Sequence, residues 1–139
     1  MAAKDIFHDV VKIALQKDAW TITDDPLHIR LSGVIDMYID LGAEKVIAAE
    51  KAGRKIAVEI KSFLGPSTLT EFHLALGQFM NYRYALADTE PDRVLYLAVP
   101  LDIDEALFTL AFIQSVLQHS QLHLLVYDVG TEEITRWYP

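Results

Sequence analysis

Glu59 and Lys61 stand two residues apart in a stretch, residues 56–63, that is otherwise apolar and rich in β-branched side chains. Side chains of a strand alternate between its faces, so these two are expected to point the same way. Burying a carboxylate or an ammonium is costly unless the group is paired or bound to a metal. A phosphodiesterase site built on a hard metal would explain both: Glu59 would hold Mg²⁺ through oxygen, and Lys61 would orient a water or neutralise charge developing on phosphorus. The alternative is a half-exposed strand whose Glu and Lys face water.

The composition predicts a single globular domain over residues 1–139, because 52% of the side chains are hydrophobic. The chain has no cysteine, which excludes disulfides, thiolate metal sites and a cysteine nucleophile. No uninterrupted apolar stretch approaches the roughly 18 residues that a membrane span needs. We therefore expect a soluble, cytoplasmic protein with no membrane partner.

The net charge of −8 argues against tight, non-specific binding of duplex DNA by this chain alone. The charge is unevenly distributed: residues 1–83 hold 10 Lys and Arg against 11 Asp and Glu, whereas residues 84–139 hold 2 against 9. Six of the twelve cations fall within residues 30–61, around the candidate site. Contacts with phosphate are therefore expected from that region, and DNA binding is expected to be weak or assisted by a partner.

The order of predicted elements is helix, strand meander, helix, strand, helix, strands. Helical spacing of apolar residues indicates helices over 4–17, from Thr68 to about residue 87, and over 102–118. Thr68 and Glu71 are interpreted as a capping box. The predicted strands are 20–23, 27–31, 34–40, 45–50, 55–63, 94–100, 122–127 and 134–138. This order is typical of an α/β fold with a central mixed sheet flanked by helices.

The third predicted helix is apolar around most of its circumference between residues 107 and 117. Such a helix is either buried inside the domain or supplies a face for a partner or for a homo-oligomer.

The sequence resembles the PD-(D/E)XK nuclease-like superfamily, whose restriction-endonuclease-like core has this order of elements. It is similar over essentially its whole length to one family, the XisH-like factors that control excision of a DNA element in nitrogen-fixing cyanobacteria. The resemblance is carried by residues 5–9 (DIFHD), 20–26 (WTITDDP), 40–44 (DLGAE), 48–63 (AAEKAGRKIAVEIKSF) and 76–82 (LGQFMNY). It implies a nuclease-like fold, and a small partner protein, XisI, accompanies the family.

The resemblance points to Asp40 as the first acid of the site, holding Mg²⁺ or Mn²⁺ together with Glu59. A hairpin centred on residues 52–53 would set Val46 opposite Glu59 and Glu44 opposite Lys61. A bend near residue 42 could bring Asp40 back to the metal. Without the bend, Glu44 is the nearer carboxylate, or simply a cross-strand ion-pair partner of Lys61.

Four further residues take candidate roles from related nucleases. Gln78 and Tyr82 lie one turn apart on the predicted second helix and resemble a Gln and Tyr pair that lines the nuclease cleft. Gln78 would position substrate. His8 falls where junction-resolving relatives carry a glutamate, although histidine suits Mg²⁺ poorly. Asp9 is adjacent, about 100° further round the helix.

Two functions therefore stay open. The first is a DNA-processing subunit with a divalent-metal-dependent endonuclease site formed by Asp40, Glu59, Lys61 and Gln78. The second is a catalytically inactive regulatory protein that keeps the fold and acts through XisI or a recombinase. No Ser-His-Asp or zinc pattern supports another hydrolase.

Overall fold

A mixed β-sheet with helices on both faces forms the framework of the molecule. A computed structural model describes residues 3–28 and 46–138, and side chains from residue 6 onward. The elements are α1 (Ala3–Lys17), β1 (Thr21–Asp24), β2 (Val46–Lys51), β3 (Arg54–Ile60), α2 (Thr68–Thr89), β4 (Arg93–Pro100), α3 (Leu101–Ala106), α4 (Ala111–Ser120), β5 (Leu124–Asp128) and β6 (Glu133–Tyr138). The α/β class and the mixed sheet predicted from the sequence are confirmed.

Within the described ranges the strands form a six-stranded sheet in the order β1-β2-β3-β4-β5-β6. The central strands β3, β4 and β5 run parallel, and β2 and β6 flank them antiparallel. The edge strand β1 pairs antiparallel with β2. Because the chain must cross from the end of β3 to the start of parallel β4, α2 spans this connection and runs back along the sheet.

The register of the β2–β3 hairpin agrees with the sequence prediction, since Lys51 lies opposite Arg54 and Val46 opposite Glu59. The two turn residues, Ala52 and Gly53, have φ of 50° and 80°. A two-residue hairpin turn whose twist matches that of the flanking strands requires positive φ at both central positions. Glycine at the second position adopts positive φ without steric cost. This turn sets which side chains of β3 share a face.

The core lies in two layers, one on each face of the sheet. The α2-side layer contains buried residues of α2, α4 and the linker between α3 and α4, together with Ala57, Leu95, Leu97, Val99 and Val126 of the strands. Partly buried residues of α3 pack against it. The α1-side layer joins Val10, Val11 and Leu15 of α1 to Ile56, Val58, Ile60, Ala98 and Leu125. Apolar residues therefore alternate along β3 between two buried faces, as expected for a central strand covered by helices.

Helix α2 begins one residue earlier than the predicted capping box requires. Its N-cap is Ser67, whose hydroxyl accepts a hydrogen bond from the backbone N–H of Thr70 at 3.2 Å. The capping-box interpretation of Thr68 and Glu71 is therefore wrong. A capping box needs a Glu or Gln three residues after the N-cap, and Glu71 lies four residues after Ser67. Its carboxylate is therefore available to pair with another group.

The single helix predicted over residues 102–118 is also wrong, because the chain breaks between α3 and α4. Phe108 lies in this break, fully buried, with its ring centroid 6.3 Å from that of Phe63 and 5.6 Å from that of Phe72. The side chain of Gln114 donates a hydrogen bond to the Phe108 carbonyl, which the helix no longer satisfies. The break allows Phe108 and Ile113 to be buried together, although Phe112 is left 68% exposed.

Candidate functional site

Strand β3 places Glu59 and Lys61 on the face covered by α2. Ala57 belongs to the α2-side layer, and side chains two residues apart on a strand point to the same face. Glu59 therefore also faces α2. The backbone N–H of Lys61 donates to the carbonyl of Ala98 at 3.3 Å, so the pairing with β4 continues one residue beyond the strand. Glu59 and Lys61 therefore share a face, as the sequence predicts.

Both charged groups are almost completely removed from solvent. Glu59 is 0% exposed and Lys61 is 5% exposed. Val46 and Leu97 lie directly beside Glu59 on the neighbouring strands, so its immediate neighbours within the sheet are apolar. An ionised group in such surroundings is retained only where other groups compensate its lost hydration.

Part of that compensation for Lys61 comes from α2. The Lys61 Nζ lies 3.2 Å from a carboxylate oxygen of Glu71, and the two side chains are only 7% and 20% exposed. Gly65 makes room for this carboxylate, because a Cβ at that position would lie 1.9 Å from Glu71 Oε1. The pair thus joins the end of β3 to the first turn of α2.

Glu71 is a candidate site residue that the sequence reasoning did not select. Its acidic side chain in the first turn of a helix has an ordinary explanation, because the helix dipole favours negative charge there. The signal that could have revealed it is Gly65, a small residue between Lys61 and the helix. Only the packing of α2 on the sheet shows that Glu71 and Lys61 meet.

Gln78 and Tyr82 lie on the same side of α2 as Glu71. Residues seven apart on a helix differ by only about 20° in direction, so Gln78 follows Glu71 along the helix after two turns. Tyr82, one turn further on, is 2% exposed and belongs to the α2-side layer. The Oε1 atom of Gln78 is buried and has no hydrogen-bond partner among the described residues. Glu71, Gln78 and Tyr82 therefore form a polar stripe along α2, anchored above Lys61 by the Glu71 contact.

His8 lies on α1, across the sheet from this stripe, and pairs with Asp25. The distance from His8 Nε2 to Asp25 Oδ1 is 2.7 Å, and Lys12 Nζ lies 2.7 Å from the other oxygen of the same carboxylate. Burial alone would raise the pKa of the Asp25 carboxyl, but hydrogen bonds and charge from Lys12 and His8 outweigh it and hold that pKa below its ordinary value. Asp9 is exposed, and the structure does not bring it to the Glu59 face.

Asp40 and Glu44, the two candidates for the first acid, lie outside the described residues. The residues that flank this part of the chain are close to Glu59. Leu27 donates its backbone N–H to the carbonyl of Val46 at 2.6 Å, and Val46 is the cross-strand partner of Glu59. The chain thus leaves and re-enters the described structure beside the buried glutamate.

The donor chemistry of this face suits a hard divalent cation. Carboxylate oxygens are the ligands that Mg²⁺ prefers, and Mg²⁺ commonly uses one or two of them together with waters and substrate phosphates. Glu59 supplies one such carboxylate and Glu71 lies near the same end of β3. Over residues 6–28 and 46–138, no group of three His, Asp or Glu side chains converges as a metal cluster. A cation here would therefore depend on Glu59, solvent and a further ligand.

The comparison with protein families decides where this chain belongs. A family model described as XisH protein matches residues 1–135. This chain belongs to the XisH family.

Two solved structures are similar to this XisH family member over nearly its whole length. A crystal structure of an XisH family protein from Nostoc punctiforme PCC 73102 is 50% identical and has a TM-score of 0.88, covering 97% of this chain and 100% of that chain. A crystal structure of an fdxN element excision controlling factor protein from Anabaena variabilis is 53% identical with a TM-score of 0.87, covering 97% and 99%. No curated protein matches the chain. Among the described residues of this XisH protein, no helix is long and apolar enough to cross a membrane.

Proposed function

We propose that this protein controls programmed excision of a DNA element, and that the face of β3 covered by α2 is an endonuclease-type site dependent on a divalent metal. The observation that carries the proposal is the buried pair of Glu59 and Lys61 on one face of a central strand, with Lys61 held by Glu71. The resemblance to PD-(D/E)XK nucleases supports a restriction-endonuclease-like core. The Anabaena variabilis protein, named as an excision controlling factor, supports the biological role.

Each polar residue has a distinct role in this site. Glu59 and Asp40 would hold Mg²⁺ or Mn²⁺, with Glu44 as the alternative to Asp40. The ion, when bound, would supply Lewis-acid stabilisation of a phosphate oxygen. Lys61 orients a water or neutralises charge on the phosphate, and Glu71 keeps the ammonium at the end of β3. Gln78 and Tyr82 line the substrate side of the stripe on α2.

A regulatory role without turnover is the second candidate, and two observations favour it. His8, at the position of the helix glutamate in related nucleases, is paired with Asp25 on the α1 side of the sheet. The net charge of −8 opposes binding to a polyanion. In this alternative the protein keeps the nuclease-like fold and acts through XisI or a recombinase.

The two candidates imply different partners. A nuclease with this charge would bind DNA weakly alone, and a partner such as XisI would supply the missing phosphate contacts. We therefore expect little cleavage of plain duplex by the isolated chain. Cleavage of branched or single-stranded substrates, or cleavage in the presence of XisI, would mark the enzyme.

The experiment is a cleavage panel of duplex, branched and single-stranded DNA with Mn²⁺, with and without XisI. It compares the wild type with Lys61→Ala and with the control Lys17→Ala, which removes an exposed lysine of α1, outside residues 30–61. The nuclease proposal predicts cutting that Lys61→Ala abolishes and Lys17→Ala preserves. If no condition gives cutting and Lys61→Ala still supports excision in cells, the regulatory candidate replaces it. Efficient cutting of plain duplex by the lone wild type would remove the partner requirement.

A further inference from the structure

A second concave site lies at the carboxyl ends of the three parallel strands. It is a cleft of about 350 Å³ where β3, β4 and β5 end. Ser62, Pro100 and Asp128, at the ends of these strands, line it together with Phe7 of α1. Ser62 follows Lys61, so its side chain turns away from the α2 stripe. In open α/β sheets, ligands bind outside the carboxyl ends of the strands. The cleft is therefore placed like a binding site and is separate from the Glu59 face.

The polar lining of the cleft is acidic. Asp102, Glu105 and Asp128 line it, and among the described residues no basic side chain does. Residues 84–139 contain only two cations, and both are engaged: Arg93 pairs with Glu90, and Arg136 pairs with Asp104. Asp102 makes no ion pair within the described part of the chain. Glu105 lies close enough to Arg136 to interact with its charge, and Asp128 accepts hydrogen bonds from the backbone N–H groups of Gly130 and Thr131. Asp102 is therefore the least compensated carboxylate of the cleft within the described residues.

The hydroxyl of Ser62 is a second, independent sign of a ligand. Ser62 is only 5% exposed, it lines the cleft, and its side chain makes no hydrogen bond with the described residues. Buried polar side chains in folded proteins are nearly always hydrogen-bonded, so an unpartnered one at a cavity wall calls for a partner from outside. A donor that enters the cleft would bond to this oxygen.

The residues at the mouth of the cleft indicate which kind of ligand it binds. Leu64 and Val129 line the cleft while remaining 53% and 38% exposed, and Phe7 and Phe63 form apolar walls. No three metal-ligating side chains converge within the described ranges, so a bare metal ion is a poor fit. An occupant must neutralise carboxylates and also cover apolar side chains at the mouth.

We propose that this cleft binds a segment of a partner protein in which a basic side chain is flanked by apolar ones. An arginine suits the interior because its planar guanidinium presents several donors to carboxylates and to a hydroxyl at once. A cleft of about 350 Å³ has room for one long side chain together with parts of its neighbours. Apolar neighbours of the arginine would cover Leu64 and Val129. This inference does not depend on the proposed activity at Glu59.

The test is an NMR titration of the full, ¹⁵N-labelled chain with a capped pentapeptide that carries a central arginine between leucines. The backbone amides of Ser62, Leu64 and Val129 are expected to shift together. The double variant Asp102→Asn with Glu105→Gln should weaken binding by about tenfold or more, as loss of charged contacts at a desolvated anchor does. The matched control Asp92→Asn with Glu50→Gln removes two carboxylates that do not line the cleft and should leave the affinity nearly unchanged.

Two further arms make the result decisive. Ser62→Ala keeps all carboxylates and should weaken binding of the arginine peptide alone, whereas a peptide with norleucine in place of arginine should not bind. Spermidine tests a free organic cation. Equal losses in the cleft and control variants would reduce the effect to net charge and overturn the proposal. So would equal affinity for spermidine at the same amides, or the absence of shifts at millimolar peptide.

Discussion

The ammonium of Lys61 lies 3.2 Å from the carboxylate of Glu71, so an ion pair with little solvent around it links the central strand β3 to the helix that crosses over it. A buried pair is costly to break, because removal of one partner leaves an uncompensated charge. The contact therefore fixes the position of the Lys61 ammonium and holds the first turn of α2 against the end of β3.

Replacing Gly65 with alanine should disrupt this pair. The new Cβ would lie 1.9 Å from Glu71 Oε1, so the carboxylate must move away from Lys61. We expect Gly65→Ala to lower the free energy of unfolding by about 1–3 kcal/mol, measured by urea denaturation. In a Glu71→Ala background the same change should cost much less, since there is no carboxylate to displace. Gly77→Ala is the control: nothing lies within 4 Å of its Cβ, and alanine in a helix should stabilise by up to about 1 kcal/mol.

Binding of Mg²⁺ or Mn²⁺ should depend on Glu59. Calorimetry of the wild type should show weak binding, and Glu59→Gln should abolish the heat because an amide oxygen carries no charge for a hard cation. Glu50→Gln, on the neighbouring strand β2 opposite Lys55, should leave the heat intact. Thermal melts of both variants verify folding. Equal binding by Glu59→Gln would reduce Glu59 and Lys61 to a structural pair of charges.

Acid should weaken the contacts of Asp25. Because the folded-state pKa of Asp25 is depressed, its stabilising effect is present above the unfolded pKa of about 4 and is lost as pH falls through the folded pKa. At pH 7, Asp25→Asn should lower the free energy of unfolding by about 1–2 kcal/mol. The difference between wild type and variant should shrink when denaturation is repeated at pH 3. Asp24→Asn, exposed and without an ion pair among the described residues, should show no such trend.

The break between α3 and α4 should depend on Phe108. Phe108→Ala removes a fully buried ring that packs on Phe63 and Phe72, and a cavity of that kind costs about 3–5 kcal/mol. Phe112→Ala changes a side chain that is 68% exposed, so it should alter stability by less than about 0.5 kcal/mol. Thermal and urea denaturation measure both. Similar losses in the two variants would mean that Phe112 is covered in solution.

The β2–β3 hairpin could be predicted from the sequence because its determinants are local. Two turn residues that accept positive φ set the register, and the period of two then puts Glu59 and Lys61 on one face. The helix over residues 102–118 could not be predicted as two pieces. Apolar spacing indicates helical residues, but the burial of Phe108 against β3 and α2 decides where the helix must stop.

The sequence by itself determined the family, the α/β class and the shared face of Glu59 and Lys61, since these follow from short-range patterns and from residue types. The tertiary structure alone decided the partners of the charged groups: Lys61 with Glu71, and His8 with Asp25. The physical reason is that an ion pair depends on distances of a few ångströms between side chains remote in the chain. Those distances arise only when α2 and α1 pack on opposite faces of the same sheet.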